Sequence, residues 1–167
     1  MVPGGFTGYF AASSAAAGTL IGLLFVAVSL RPEAILGSTA APHVRAVAAS
    51  AFTALVNSFF VSLIALIPGT SLGYTAAVMA LLGLHRTLRL HLGLTERTAA
   101  LVQLVLALAA YLAQLVAGVA LAVRPHAPGL VYDVAYLLIA SFAVALMRAW
   151  SLMQGMPAPA KQDSPAA

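Results

Sequence analysis

The sequence predicts an all-α integral membrane bundle of five transmembrane helices, with its N-terminus outside and its C-terminus in the cytoplasm. Three observations point there. Only 7% of the residues are charged and 62% are hydrophobic, whereas a soluble domain carries about 25% charged residues to cover its water-facing surface. The stretches between charges have the length needed to cross a bilayer. The basic residues also fall almost entirely on one side of those crossings.

The spans follow in order. Residues 1–30 contain no charged residue. This stretch lacks the basic n-region of a signal peptide and its apolar run is too long for one, so it reads as a retained span, about 6–30. Arg31 precedes Pro32, and the residue before a proline is pushed out of the helical region. The second span, about 42–67, starts with Pro42 in its first turn, where a missing N–H costs nothing. Forty uncharged residues separate Arg45 from Arg86. They hold two crossings because Pro68-Gly69 turns the chain between them. The third span, about 70–92, begins near Thr70 or Ser71, with Gly93 as its left-handed cap. Thr95 is the expected N-cap of the fourth span, about 96–123, and Glu96 suits the positive end of that helix. Arg124-Pro125 ends it. The fifth span, about 128–153, runs from Pro128 to Met153. Together they make one transmembrane domain, 1–154. Residues 155–167, rich in Pro and Ala, read as a short disordered cytoplasmic tail.

With five crossings, one side receives Arg31, Arg45, Arg86, Arg89, Arg97, Arg148 and Lys161, and the other receives only Arg124. The positive-inside rule then makes the first side cytoplasmic. A four-span arrangement loses this segregation. The last turns of the third helix are amphipathic: Leu84, Leu88 and Leu92 share one side, His85, Arg86 and Arg89 another. Long arginine side chains there snorkel to the headgroups, so Arg86, Arg89 and Arg97 are the expected contacts to anionic lipid. Arg148 and Trp150 read as interface anchors.

Burying leucine against leucine drives no association in lipid, but close packing of small residues and hydrogen bonds between helices do. Ser14, Gly18 and Gly22 form a small-residue row on the first helix that includes a GxxxG. On the fourth helix Ala113, Ala117 and Leu121 form one row, with Gly118 and Ala122 beside it. Ser50, Thr53 and Asn57 share one face of the second helix. Gln103 and Gln114 lie almost on one line of the fourth, with Tyr111 near it. Two readings are open for these polar residues: a polar path through the membrane, or glue between helices. Asp133, the one acid within a span, sits near the outer surface, where Arg124 or His126 would pair with it, as a dipole-favoured surface charge or an outer proton or cation site.

Several chemistries are excluded. There is no Cys, so no thiolate, disulfide or Cys-ligated metal. His43, His85, His91 and His126 have no metal spacing, and HExxH, GxSxG, Walker and GxGxxG motifs are absent. Basic residues this scattered make no nucleic-acid site. No enzymatic activity and no cofactor are expected.

The segment AASSAAAGTLIGLLFVAVSLRPEAIL, followed by FFVSLIALIPG and LGYTAAVMALLGL, resembles a family of small multi-span membrane proteins common in actinobacteria. Some of these are labelled modulators of the membrane protease FtsH. The resemblance covers residues 6–90 and implies no site residue. The expected function is that of a non-enzymatic protein of the cell membrane that acts by helix–helix association, with itself or with a membrane protein partner, among membrane lipids. The alternatives are an oligomeric ion channel or small-solute transporter lined by the polar face of the second helix, and a lipid-binding protein.

Overall fold

Long apolar stretches cut by Pro and Gly dictate helices, because in hydrocarbon every backbone N–H and C=O must find its partner within the segment. The computed structural model describes residues 4–30, 32–35, 37, 41–91 and 98–154. Among them there is no strand. After a 3-10 turn at Gly4–Phe6, five long helices and one short one follow: α1 (Thr7–Leu30), α2 (Pro32–Ile35), α3 (Pro42–Ala65), α4 (Leu72–His91), α5 (Thr98–Val123) and α6 (Pro128–Gln154). Among the described residues four segments are long and apolar enough to cross a membrane: Gly4–Leu30, Pro42–Ala65, Leu104–Val123 and Pro128–Leu152.

The boundaries obey local chemistry. Pro42 opens α3, as expected of a proline at the first helical position. At its far end the single Thr70 hydroxyl proton is shared between the carbonyls of Ile64 (2.8 Å) and Ile67 (2.7 Å), adding to the backbone N–H groups of Ile67 and Thr70 that already donate to them. The chain then reverses through Gly69, whose φ of +82° is open to glycine at no steric cost. The single turn α2 lies between α1 and α3, where the sequence suggested only a loop. Arg45 Nη2 donates to the Gly37 carbonyl at 2.9 Å and ties that connection to α3. Gly93, Thr95, Glu96, Arg97, Arg31 and the 155–167 tail lie outside the described residues.

Helix α3 is the centre of the bundle and packs against α1, α4 and α6. The core forms three layers along the axis. At one end Phe10, Val61, Leu72, Leu121, Val134 and Leu138 meet. In the middle Ala54, Leu55 and Ala145 pack with Leu20 and Phe142. At the other end Ile35 and Ala48 meet Leu152. Contacting helices adjacent in this order are therefore antiparallel. Arg45, Arg86, Arg89 and Arg148 share the end that holds Leu152, while Arg124 sits at the opposite end.

The tightest packing joins α4 to α5. A Cβ on Gly73 would lie 2.7 Å from the Gly118 carbonyl oxygen and would also strike the backbone of Ala122. A Cβ on Gly118 would lie 2.6 Å from the Ala77 nitrogen. The two backbones cross in direct contact, a geometry open only to the smallest residues. The buried row of α4 is Ala76, Ala80, Gly83 and Thr87. Leu88, by contrast, is exposed, and Leu84 is half-buried.

Gly118→Leu should therefore lower the unfolding free energy of the detergent-solubilised chain by about 3 kcal/mol, the upper range for overpacking a filled interface. Gly22→Leu, where nothing lies within 4 Å of the added Cβ, should stay within about 0.5 kcal/mol. Titration of helix content with denaturing detergent measures both.

Candidate functional site

A polar side chain in hydrocarbon keeps its place only if its donors and acceptors are met. On α3, Ser50, Thr53 and Ser58 meet this locally. Their hydroxyls donate to the carbonyls of Val47 (2.8 Å), Ala49 (2.7 Å) and Ala54 (3.1 Å) in the preceding turn. Ser62 instead reaches across to α1, donating to the Ser13 hydroxyl at 2.9 Å. Tyr9 at the start of α1 donates to the Ala135 carbonyl of α6 at 2.8 Å.

Asn57 has no such local solution. Its Nδ2 donates to Gln114 Oε1 at 2.8 Å, and Gln114 Nε2 donates back to Asn57 Oδ1 at 2.9 Å. Gln114 Nε2 also donates to the Ala76 carbonyl of α4 at 3.1 Å. Both amides are 1% exposed. One cluster thus joins α3, α4 and α5. Among the described residues no buried side-chain nitrogen or oxygen is left without a partner. Gln114 takes its partner from α3. Its own helix offers none at that distance, since Gln103 is eleven residues and about 16 Å away along the axis. The Gln103 side chain lies outside the described residues.

The other sequence candidates are dispersed. Ser14 is buried and donates to the Ala11 carbonyl at 2.9 Å. Gly18 faces the Phe59 ring, 3.6 Å from an added Cβ, and Gly22 faces open space. Asp133, Arg124 and His126 are all exposed. Among the described residues no hydrogen bond or ion pair joins them. Asp133 instead rims a shallow groove between α5 and α6 beside Tyr136.

Arg86 and Arg89 are exposed at the end of α4 and rim a groove of about 450 Å³ between α3 and α4. Its wall is Val56, Met79 and Leu82, and Thr53 and Asn57 reach its floor. On the far side of α4, the Tyr111 ring lies where a Gly83 side chain would be, 2.6 Å from an added Cβ to its Cζ. Arg148 departs from the interface-anchor reading: it is 7% exposed, within electrostatic reach of the Tyr111 hydroxyl, as is Arg86. Trp150 is 60% exposed.

The features the sequence reading missed are Gly73, Gly83 and the burial of Arg148. Gly73, Ala76, Ala80 and Gly83 do recur at helical spacing, a small-residue row as clear as the one on α1. Nothing in the sequence alone separates a buried Arg148 from a snorkelling one.

Comparison with known protein families, with characterised proteins and with solved structures returns no match.

A double-mutant cycle tests the amide cluster. Asn57→Leu and Gln114→Leu should each cost about 1–2 kcal/mol, because each leaves a buried amide short of a partner. The double variant should cost less than the sum, with a coupling of about 0.6–1.7 kcal/mol. Strict additivity in a detergent unfolding titration would show that the pair does not hold α3 to α5.

Proposed function

We propose that this chain is a non-enzymatic, multi-span protein of the cell membrane that acts by helix–helix association with a second copy or a membrane partner. It crosses the bilayer five times, with its N-terminus outside and its C-terminus in the cytoplasm.

Helix α4 is the fifth crossing. Its mean hydropathy is lowered by His85, Arg86 and Arg89, but at 20 residues it is about 30 Å long. It lies antiparallel along α5, from Gly73 against Gly118 and Ala122 to Gly83 against Tyr111. A helix packed against a spanning neighbour over that length occupies the same slab. Orientation follows from charge: Arg45, Arg86, Arg89 and Arg148 share one end, which the positive-inside rule places in the cytoplasm.

The observation that carries the association reading is the placement of α1. Only 11% of its spanning window is buried inside the chain, against 50% for α3. Its buried residues, Phe10, Ser13, Ser14 and Ala17, all lie in its first half. The second half turns Leu23, Phe25 and Val26 outward, each more than half exposed, with Gly22 open beside them. A small residue flanked by large apolar ones is where another helix approaches closely in lipid. The alternative, a path along the polar face of α3, would require Asn57 to give up Gln114.

Three experiments test this. Gly22→Leu should reduce recovery of the oligomer or partner complex in mild detergent by roughly tenfold while leaving the fold intact. A wild-type particle that is strictly monomeric and partner-free would overturn the proposal. For orientation, the chain has no native Cys, so single reporters are clean. Ser71→Cys should react with an impermeant thiol reagent on intact cells, and Lys161→Cys only after permeabilisation. Liposomes carrying the wild type and Asn57→Leu should show the same absence of ion flux. Flux in the wild type alone would favour the channel.

A further inference from the structure

The groove between α3 and α4 combines two chemistries that rarely adjoin. Its wall is aliphatic, from Val56, Met79 and Leu82, and its rim carries two guanidinium groups, Arg86 and Arg89, three residues apart on one face of α4. Among the described residues no carboxylate lines it. A third cation, Arg148 of α6, lies within electrostatic reach of Tyr111. At this end the Tyr111 ring of α5 fills the space beside Gly83, while the Pro68–Gly69 turn joins α3 and α4 at the other.

We propose that this groove binds one anionic phospholipid of the cytoplasmic leaflet. The phosphodiester sits between Arg86 and Arg89, and an acyl chain lies along Val56, Met79 and Leu82. Charge complementarity selects an anion, and the aliphatic wall selects one carrying a hydrocarbon chain; a bare phosphate would leave that wall uncovered. An apolar helix would bring no charge to the arginines.

The proposal rests on the reading that α4 crosses the bilayer with its His91 end in the cytoplasmic leaflet, and does not depend on which partner α1 meets. The test uses the full chain in nanodiscs of mixed phosphatidylcholine and phosphatidylglycerol, extracted in mild detergent, with retained lipid counted by native mass spectrometry. The wild type should retain one phosphatidylglycerol in preference to phosphatidylcholine. R86Q/R89Q should lower that retention by roughly tenfold or more, as two surface cations contribute together. L82W, at an exposed position that fills the groove and keeps both arginines, should lower it as well, with helix content unchanged. R124Q, at the opposite end, should leave it unchanged. The site is overturned if L82W retains phosphatidylglycerol as the wild type does, since the arginines then act only as a general attraction to the leaflet. It is equally overturned if R124Q loses as much lipid, if excess inorganic phosphate strips the lipid, or if L82W releases a bound polypeptide instead. Thiol labelling that places α4 outside the bilayer removes the orientation reading and the site together. A correctly inserted chain without selective retention removes the site alone.

Discussion

Two primary amides bonded face to face inside the bundle set the terms for the rest of this fold. Asn57 and Gln114 cannot turn to water, and neither side chain has a nearby carbonyl on its own helix that satisfies it as serine and threonine do. Their reciprocal bonds, at 2.8 and 2.9 Å, require α3 and α5 to face each other at one register. The further bond from Gln114 to the Ala76 carbonyl at 3.1 Å requires α4 beside them with its backbone accessible. That is a backbone requirement, and it explains why α4 presents Gly73, Ala76, Ala80 and Gly83 toward its neighbours. A larger residue at Gly73, which meets the backbone of Gly118 and Ala122, would push α4 away from α5 and with it the carbonyl of Ala76 from the amide.

The remaining packing follows from lipid as a solvent. Leucine gains nothing by leaving hydrocarbon, so leucine and valine remain outside, as at Leu81, Leu106 and Val116, each more than half exposed. Alanine, serine and glycine turn inward because they let helix backbones approach. The core of α3 shows this most fully: its buried set is mainly Ala46, Ala48, Ala51, Ala54, Ala65, Ser50, Ser58 and Ser62, around Asn57. In a water-soluble bundle such a stripe would be too small to stabilise a core, because it removes little apolar area from water. Here dispersion between close backbones and a few hydrogen bonds perform that function.

Much of this was legible in the sequence, for identifiable reasons. The helices and their ends were readable because Pro42, Pro68-Gly69 and Pro128 act locally, through φ restriction and a missing donor. The importance of Asn57 and Gln114 was readable because polar groups in an apolar span are conspicuous. Their pairing was not, since it depends on which helices meet, and periodicity along one chain does not encode that. The same limit applies to Gly73 and Gly118, which are 45 residues apart in a chain rich in glycine and alanine. The GxxxG of α1 had the more familiar spacing, yet Gly22 faces outward. Spacing marks a surface able to pack closely, and tertiary context decides whether the chain itself uses it.

The two ends of the bundle are unequal, and the cause lies in how far each cross-link reaches. At the Arg124 end, Tyr9 is bonded to Ala135 and Ser62 to Ser13, and Phe10 and Leu138 are fully buried among helices α1, α3 and α6. At the end that carries Arg45, Arg86, Arg89 and Arg148, the core narrows to Ile35, Ala48 and Leu152. Cations resist being packed together, since each brings a desolvation penalty and repels the next. Arg148 is brought inside against Tyr111, while Arg86 and Arg89 remain at the rim. Those two arginines stand at the mouth of the gap between α3 and α4 instead of filling it, so the opening falls at the end of an otherwise apolar bundle where its charge is concentrated.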